Sequence, residues 1–300
     1  MQGGVPKKQG ARDTHMAEFA DRHWSSRDGL RLHYRDYPGD PALAPVLCLP
    51  GLTRNARDFE LLAAHIAPRR RVLCADLRGR GDSDYAKDGA TYTPLQYADD
   101  LALLFAAAGL SQVVAIGTSL GGLLTMLLAA TGAERLAGAV LNDIGPVIDP
   151  AGIERIRSYV GQGRSFETWM HAARALEEAQ GANFPQFAIS GWLAFAKRAM
   201  TAGSNGRIVF DYDMKIAEPF AKTDSAEPPD LWPAYAALAG RPLLVIRGEA
   251  SDFLSPETLA RMVETVPGTQ TLIVPGVGHA PTLDEPVAVA AIDRLLARAQ

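Results

Sequence analysis

Short runs of Val, Leu and Ile alternate along this chain with longer stretches whose apolar residues recur every three to four positions. The short runs, at 30–37, 45–49, 71–75, 113–116, 136–141, 243–247 and 271–274, read as strands, the first of them hairpin-like with a partner near 23–26. Helical periodicity fills the intervals at 58–66, 94–108, 121–131, 255–265 and 286–299, and Pro256 sits just inside the fourth, where a helix tolerates it best. Strand and helix in regular alternation predict an α/β fold, a mostly parallel, doubly wound sheet covered on both faces.

The alternation stops after Asn142-Asp143-Ile144-Gly145-Pro146. From about 147 to 236 no strand run of core quality occurs, while helical patterns recur at 151–160, 166–179 and 186–200. This stretch carries three of the four tryptophans (Trp169, Trp192, Trp232), and Glu227-Pro228-Pro229-Asp230 marks the return to the sheet. It reads as a helical cap, 147–236, inserted between the two parts of one core, 17–146 and 237–300. Residues 1–16 are polar and glycine-containing and lack the apolar core of a secretory signal. They read as a disordered leader, and a cytoplasmic location follows by default.

Composition narrows the partners. With 47% hydrophobic residues in 300, the chain has ample material for a large core. Its 30 basic and 34 acidic residues leave a net charge of −4, so no overall field draws it to nucleic acid or to an anionic membrane. No window approaches the roughly 18 apolar residues of a membrane span. Cys48 and Cys74 each lie inside a predicted strand and read as buried structural thiols. A small molecule is the partner that remains.

The chemistry-bearing motif is Gly117-Thr118-Ser119-Leu120-Gly121, which joins the run at 113–116 to the helical pattern at 121–131. A tight turn there lifts a serine off the sheet edge, with glycines admitting the neighbouring backbone. A serine hydroxyl attacks a carbonyl only when a base takes its proton and a carboxylate orients that base. Of six histidines, His279 alone occupies a loop after the last strand, in Pro275-Gly276-Val277-Gly278-His279-Ala280-Pro281; His15, His23, His33, His65 and His171 read as surface or packing residues. The preferred carboxylate is Asp252, just past the strand at 243–247; Asp143, at the end of the preceding strand, and Glu249 are the rivals. The oxyanion formed on attack needs backbone donors, expected from Leu120, after the nucleophile, and Leu52, in Pro50-Gly51-Leu52-Thr53-Arg54-Asn55. Asn55 is expected to cap the next helix.

With these motifs the sequence resembles the cap-bearing members of the α/β-hydrolase fold superfamily, the esterase, lactonase and C–C hydrolase group, over roughly residues 22–298. Beyond the elbow, the resemblance rests on Asp76-Leu77-Arg78-Gly79-Arg80-Gly81-Asp82-Ser83-Asp84, on Gly248-Glu249 with Ser251-Asp252, and on Gly278-His279-Ala280-Pro281 with Asp284-Glu285-Pro286. It implies the order Ser119, Asp252, His279 for the catalytic residues and a scaffold role for Asp76 and Arg78. Where relatives often carry His-Gly before the oxyanion residue, this chain has Pro50-Gly51. A serine at 119 argues against the dehalogenases and epoxide hydrolases of the superfamily, which use aspartate there, and Leu120 argues against perhydrolases.

The leading expectation is therefore hydrolysis of a carboxylic ester or lactone through an acyl-enzyme. Hydrolytic C–C cleavage of a diketone-like substrate and a non-catalytic ligand receptor are the alternatives. No cofactor is required: no metal-ligand spacing and no phosphate-cradling motif is present. The aromatics of the insertion (Trp169, Phe184, Phe187, Trp192, Phe195, Phe210) suggest an apolar pocket roof, with Arg54 and Trp192 as candidate substrate contacts.

Overall fold

A computed structural model describes residues 17–221 and 229–299. The predicted leader at 1–16 and part of the turn at 227–230 lie outside the described residues. In chain order the strands are β1 (Ala20–Ser25), β2 (Arg31–Tyr37), β3 (Val46–Leu49), β4 (Val72–Ala75), β5 (Val113–Thr118), β6 (Leu136–Asn142), β7 (Ser165–Phe166), β8 (Met200–Ala202), β9 (Ile208–Phe210), β10 (Leu243–Gly248) and β11 (Gln270–Val274). The helices are α1 (Glu60–Ile66), α2 (Pro94–Ala107), α3 (Leu120–Gly132), α4 (Pro150–Tyr159), α5 (Trp169–Gln180), α6 (Ile189–Ala199), α7 (Glu218–Ala221), α8 (Trp232–Ala236), α9 (Pro256–Thr265) and α10 (Pro286–Leu296).

Eight strands form the main sheet in the order β1-β2-β4-β3-β5-β6-β10-β11. β2 pairs antiparallel with β1 and β4, and every other pairing is parallel. The reason lies in β3 and β4, whose residues are buried on both faces. Leu47 and Leu49 point into one core, shared with Leu101 and Leu104 of α2 and Leu124 of α3. Val46 and Cys48 point into the other, with Leu62 and Ile66 of α1 and Ile292 and Leu295 of α10. Period-two alternation therefore feeds two cores. Cys48 and Cys74 are neighbours in register, free and buried, and burial pushes the Cys48 thiol up, which keeps it unreactive.

The insertion supplies α4 to α6 where helical patterns were expected. It also holds a small antiparallel sheet in the order β7-β9-β8, which the sequence pattern did not reveal. Strands of two or three residues are too short to display a period. Asn55 does cap the turn ahead of α1, its side chain accepting from the Arg57 N–H. Arg78 braces the core: buried, it donates to Asp100 at 2.6 and 2.7 Å and to Asp28 at 3.0 Å. Among the described residues, no helix is long and apolar enough to cross a membrane.

Candidate active site

β5 ends at Thr118 and α3 begins at Leu120, so Ser119 alone makes the turn, at φ 51° and ψ −115°. A non-glycine residue held there costs on the order of 1–3 kcal/mol, which the surrounding packing must offset. Two close approaches fix the turn. A Cβ on Gly117 would lie 2.3 Å from the Gly121 backbone, and one on Gly121 would lie 2.0 Å from the Leu49 carbonyl oxygen. Gly121→Ala should therefore push α3 off β3 and destabilise the fold by about 1–3 kcal/mol. Urea denaturation checks this; an unchanged midpoint would contradict the packing described.

From this turn a hydrogen-bonded line runs across the carboxyl edge of the sheet. Ser119 Oγ lies 3.0 Å from His279 Nε2, and His279 Nδ1 lies 2.8 Å from Asp143 Oδ2. Asp143 is fully buried and follows β6 directly, at φ 56°. Its N–H donates to the Ile246 carbonyl at 2.7 Å, which ties the turn to β10. Its carboxylate also accepts from the Gly248 N–H at 2.8 Å and the Ser251 hydroxyl at 2.6 Å. Those donors satisfy a buried charge that would otherwise be costly. Asn142 Nδ2 donates to the Pro281 carbonyl at 2.8 Å and so anchors the histidine loop. The Phe253 ring stacks on His279, centroids 3.8 Å apart, and holds the imidazole flat.

Asp252 does not stand in that line, contrary to the sequence expectation. Its carboxylate turns to the cap, where Arg155 of α4 grips it with Nη2 at 2.9 Å from Oδ1. Burial pushes the Asp252 carboxyl up, but the Arg155 hydrogen bond and charge outweigh it, and the group ends below the ordinary carboxylate range. The geometry has a simple cause. β6 and β10 are adjacent, so a carboxylate leaving β6 reaches the histidine loop, whereas four residues of loop after β10 carry Asp252 outward. Glu249, the other rival, accepts from the Gly276 N–H at 2.7 Å and braces the turn after β11.

Ser119 and His279 open on a cavity of about 410 Å³ between the sheet edge and the cap. Gly51 and Leu52 form its floor, and a Cβ on Gly51 would sit 3.8 Å from Ser119 Cβ, so the turn after β3 lies against the serine. Leu120 opens α3, where a helix N–H has no partner within the helix. Phe184, Phe195 and Phe210 line the cavity as expected, joined by Phe166, which the sequence did not single out. Trp192 is not among the lining residues. At 1% exposure it packs edge-on against Phe184, Phe187 and Phe195 inside the cap. Arg54 does line the cavity, paired with Asp58 and lying 4.1 Å from the Phe195 ring centre. Tyr159 lines it too, with its phenol pushed up by burial.

A cluster of His33, Asp76 and Asp82 stands apart from this site. His33 Nδ1 and Nε2 lie 2.7 and 2.9 Å from Asp76 and Asp21, and Asp76 also accepts from the Ala56 N–H at 2.6 Å, so these groups brace β2.

Residues 46–292 match the model of the alpha/beta hydrolase family. The fold is similar to the crystal structure of an alpha/beta hydrolase from Novosphingobium aromaticivorans, 63% identical with a TM-score of 0.91, covering 94% of this chain and 99% of that one. In sequence the chain is similar to the 3-hydroxybutyrate-oligomer hydrolase of Cupriavidus necator, 36% identical over 87% of this chain and 90% of that protein. It is also similar to the 2-(acetamidomethylene)succinate hydrolase of Mesorhizobium japonicum, 26% identical over 88% of this chain and 91% of that one.

Proposed function

The chain belongs to the alpha/beta hydrolase family and is a carboxylic ester hydrolase, and from that premise we propose that Ser119 is its nucleophile, His279 its base and acid, and Asp143 the carboxylate that orients His279. The unbroken hydrogen-bonded line from Ser119 through His279 to Asp143 carries the reading. Ser119 Oγ attacks the ester carbonyl as His279 Nε2 takes its proton. The negative oxygen of the tetrahedral intermediate is held by the backbone N–H groups of Leu52 and Leu120, the latter at the positive end of α3. The intermediate collapses when His279 returns the proton to the leaving alcohol, and an acyl-Ser119 ester remains. His279 then deprotonates a water, which releases the acid and restores Ser119.

The cavity accommodates a small-molecule ester, and the 3-hydroxybutyrate-oligomer hydrolase relative supports short hydroxyacyl esters in particular. A series of 4-nitrophenyl esters tests both size and chemistry. We expect kcat/KM to peak at short acyl chains and to fall at least about tenfold by palmitoyl. A profile that rises with chain length would defeat the short-chain reading, and the absence of ester turnover at any length would defeat the hydrolytic one.

A further inference from the structure

The charged residues lining the cavity, besides His279, are Arg54, Arg155, Arg164, Arg198 and Asp58. Arg54 is matched by Asp58 and Arg155 by Asp252. Arg164 is exposed and lies over Phe166, 5.5 Å from the ring centre. Arg198, in the last turn of α6, differs from all three. It is only 8% exposed, and among the described residues its guanidinium makes no hydrogen bond or ion pair. Its backbone is fixed, because the Arg198 carbonyl accepts from Asn55 Nδ2 at 3.0 Å and Arg57 Nε at 3.1 Å. The buried carboxylate beside this carbonyl, Asp211, is already held by Arg57 and Asn55.

The Arg198 nitrogens are not among the fully buried unpartnered side-chain atoms of the described residues, so they meet solvent at the cavity wall. A cation held there without a counter-ion gains from an arriving anion. The lining mixes charged groups with Phe166, Leu176, Phe184, Phe195 and Met200, and against that apolar part of the wall an ion pair is less screened than in open water. A planar guanidinium matches a carboxylate through two parallel hydrogen bonds.

We propose that Arg198 receives a carboxylate of the substrate, so that the preferred esters are anionic ones bearing a free carboxylate besides the scissile bond. This rests on the esterase reading above and adds to it the substrate's charge and the residue that reads it. Arg198 is thus a specificity-determining residue that takes no part in bond making.

The test compares mono-4-nitrophenyl glutarate with uncharged 4-nitrophenyl hexanoate. The wild type should favour the anionic ester, and in Arg198→Gln the anionic-to-neutral ratio of kcat/KM should fall by about 10- to 100-fold, the range of charge-assisted hydrogen bonds. Arg198→Lys should fall between the two. Because the readout is a ratio, a general loss of folded protein cancels, and a ratio unchanged in Arg198→Gln overturns the proposal. A second measurement needs no turnover: calorimetric binding of monomethyl and dimethyl glutarate to the Ser119→Ala protein. The monoester should bind more tightly, and Arg198→Gln should weaken it at least about tenfold; equal binding of the two esters overturns the proposal. Wild type that cleaves neither aryl ester defeats the esterase reading, while the calorimetry still reports on Arg198.

Discussion

Asp143→Asn should lower kcat by about 10⁴-fold, while Asp252→Asn should cost less than about tenfold. Asparagine is nearly isosteric with aspartate, so the buried turn after β6 keeps its shape, although only one of the two head atoms that now accept from Gly248 and Ser251 remains an acceptor. What changes is the group facing His279 Nδ1. An amide offers either a weaker, uncharged acceptor or a donor that turns the imidazole to the wrong tautomer, and neither stabilises the imidazolium formed when Ser119 gives up its proton. Asp252→Asn leaves that contact alone and removes the charge that Arg155 grips, loosening α4 over the cavity. Its effect should appear more in KM than in kcat. Steady-state kinetics of the two variants on one short aryl ester decides the matter, and a larger kcat loss in Asp252→Asn would move the acid back to the loop after β10.

That pair of aspartates also marks where the sequence stops being legible. The strand runs, the break after Pro146, the elbow at Ser119 and the lone loop histidine are local patterns, and they were readable because each is written within a few consecutive residues. The acid is not local. Which carboxylate meets His279 depends on β6 lying beside β10 and on the left-handed backbone of Asp143, and neither strand order nor a positive φ at an aspartate is written in the neighbouring residues. Asp252, in a stretch matching the superfamily, was a sound expectation until the cap claimed its charge. The hint that existed was the dipeptide Asn142-Asp143 at the end of a buried strand, two polar side chains where only a site or a network would hold them; both prove buried. In the cap, the sequence could name aromatics but not say which face the cavity. Trp192 turned inward and Phe166 outward because the packing of α5 on α6 and the short β7-β9-β8 sheet decide it. The sequence did not single out Arg198, since a cation in the last turn of a helix is ordinary, and only its place in the cavity wall without a partner among the described residues sets it apart.

The largest effect belongs to Ser119. Ser119→Ala should reduce kcat by about 10⁵- to 10⁶-fold, because removing the nucleophile disables His279 and Asp143 together, members of one relay being far from additive. What remains should be slow attack by water under the backbone donors proposed at Leu52 and Leu120. Stability should hardly move, since alanine inherits the same φ of 51° and the strain belongs to the backbone rather than to the hydroxyl. Thermal denaturation beside the kinetics therefore separates a lost nucleophile from a lost fold. Mass spectrometry after exposure to a fluorophosphonate completes the test, with one adduct expected on Ser119 in the wild type and none in the variant. Labelling of the variant at another serine, with turnover intact, would place the nucleophile elsewhere and leave the turn between β5 and α3 as packing alone.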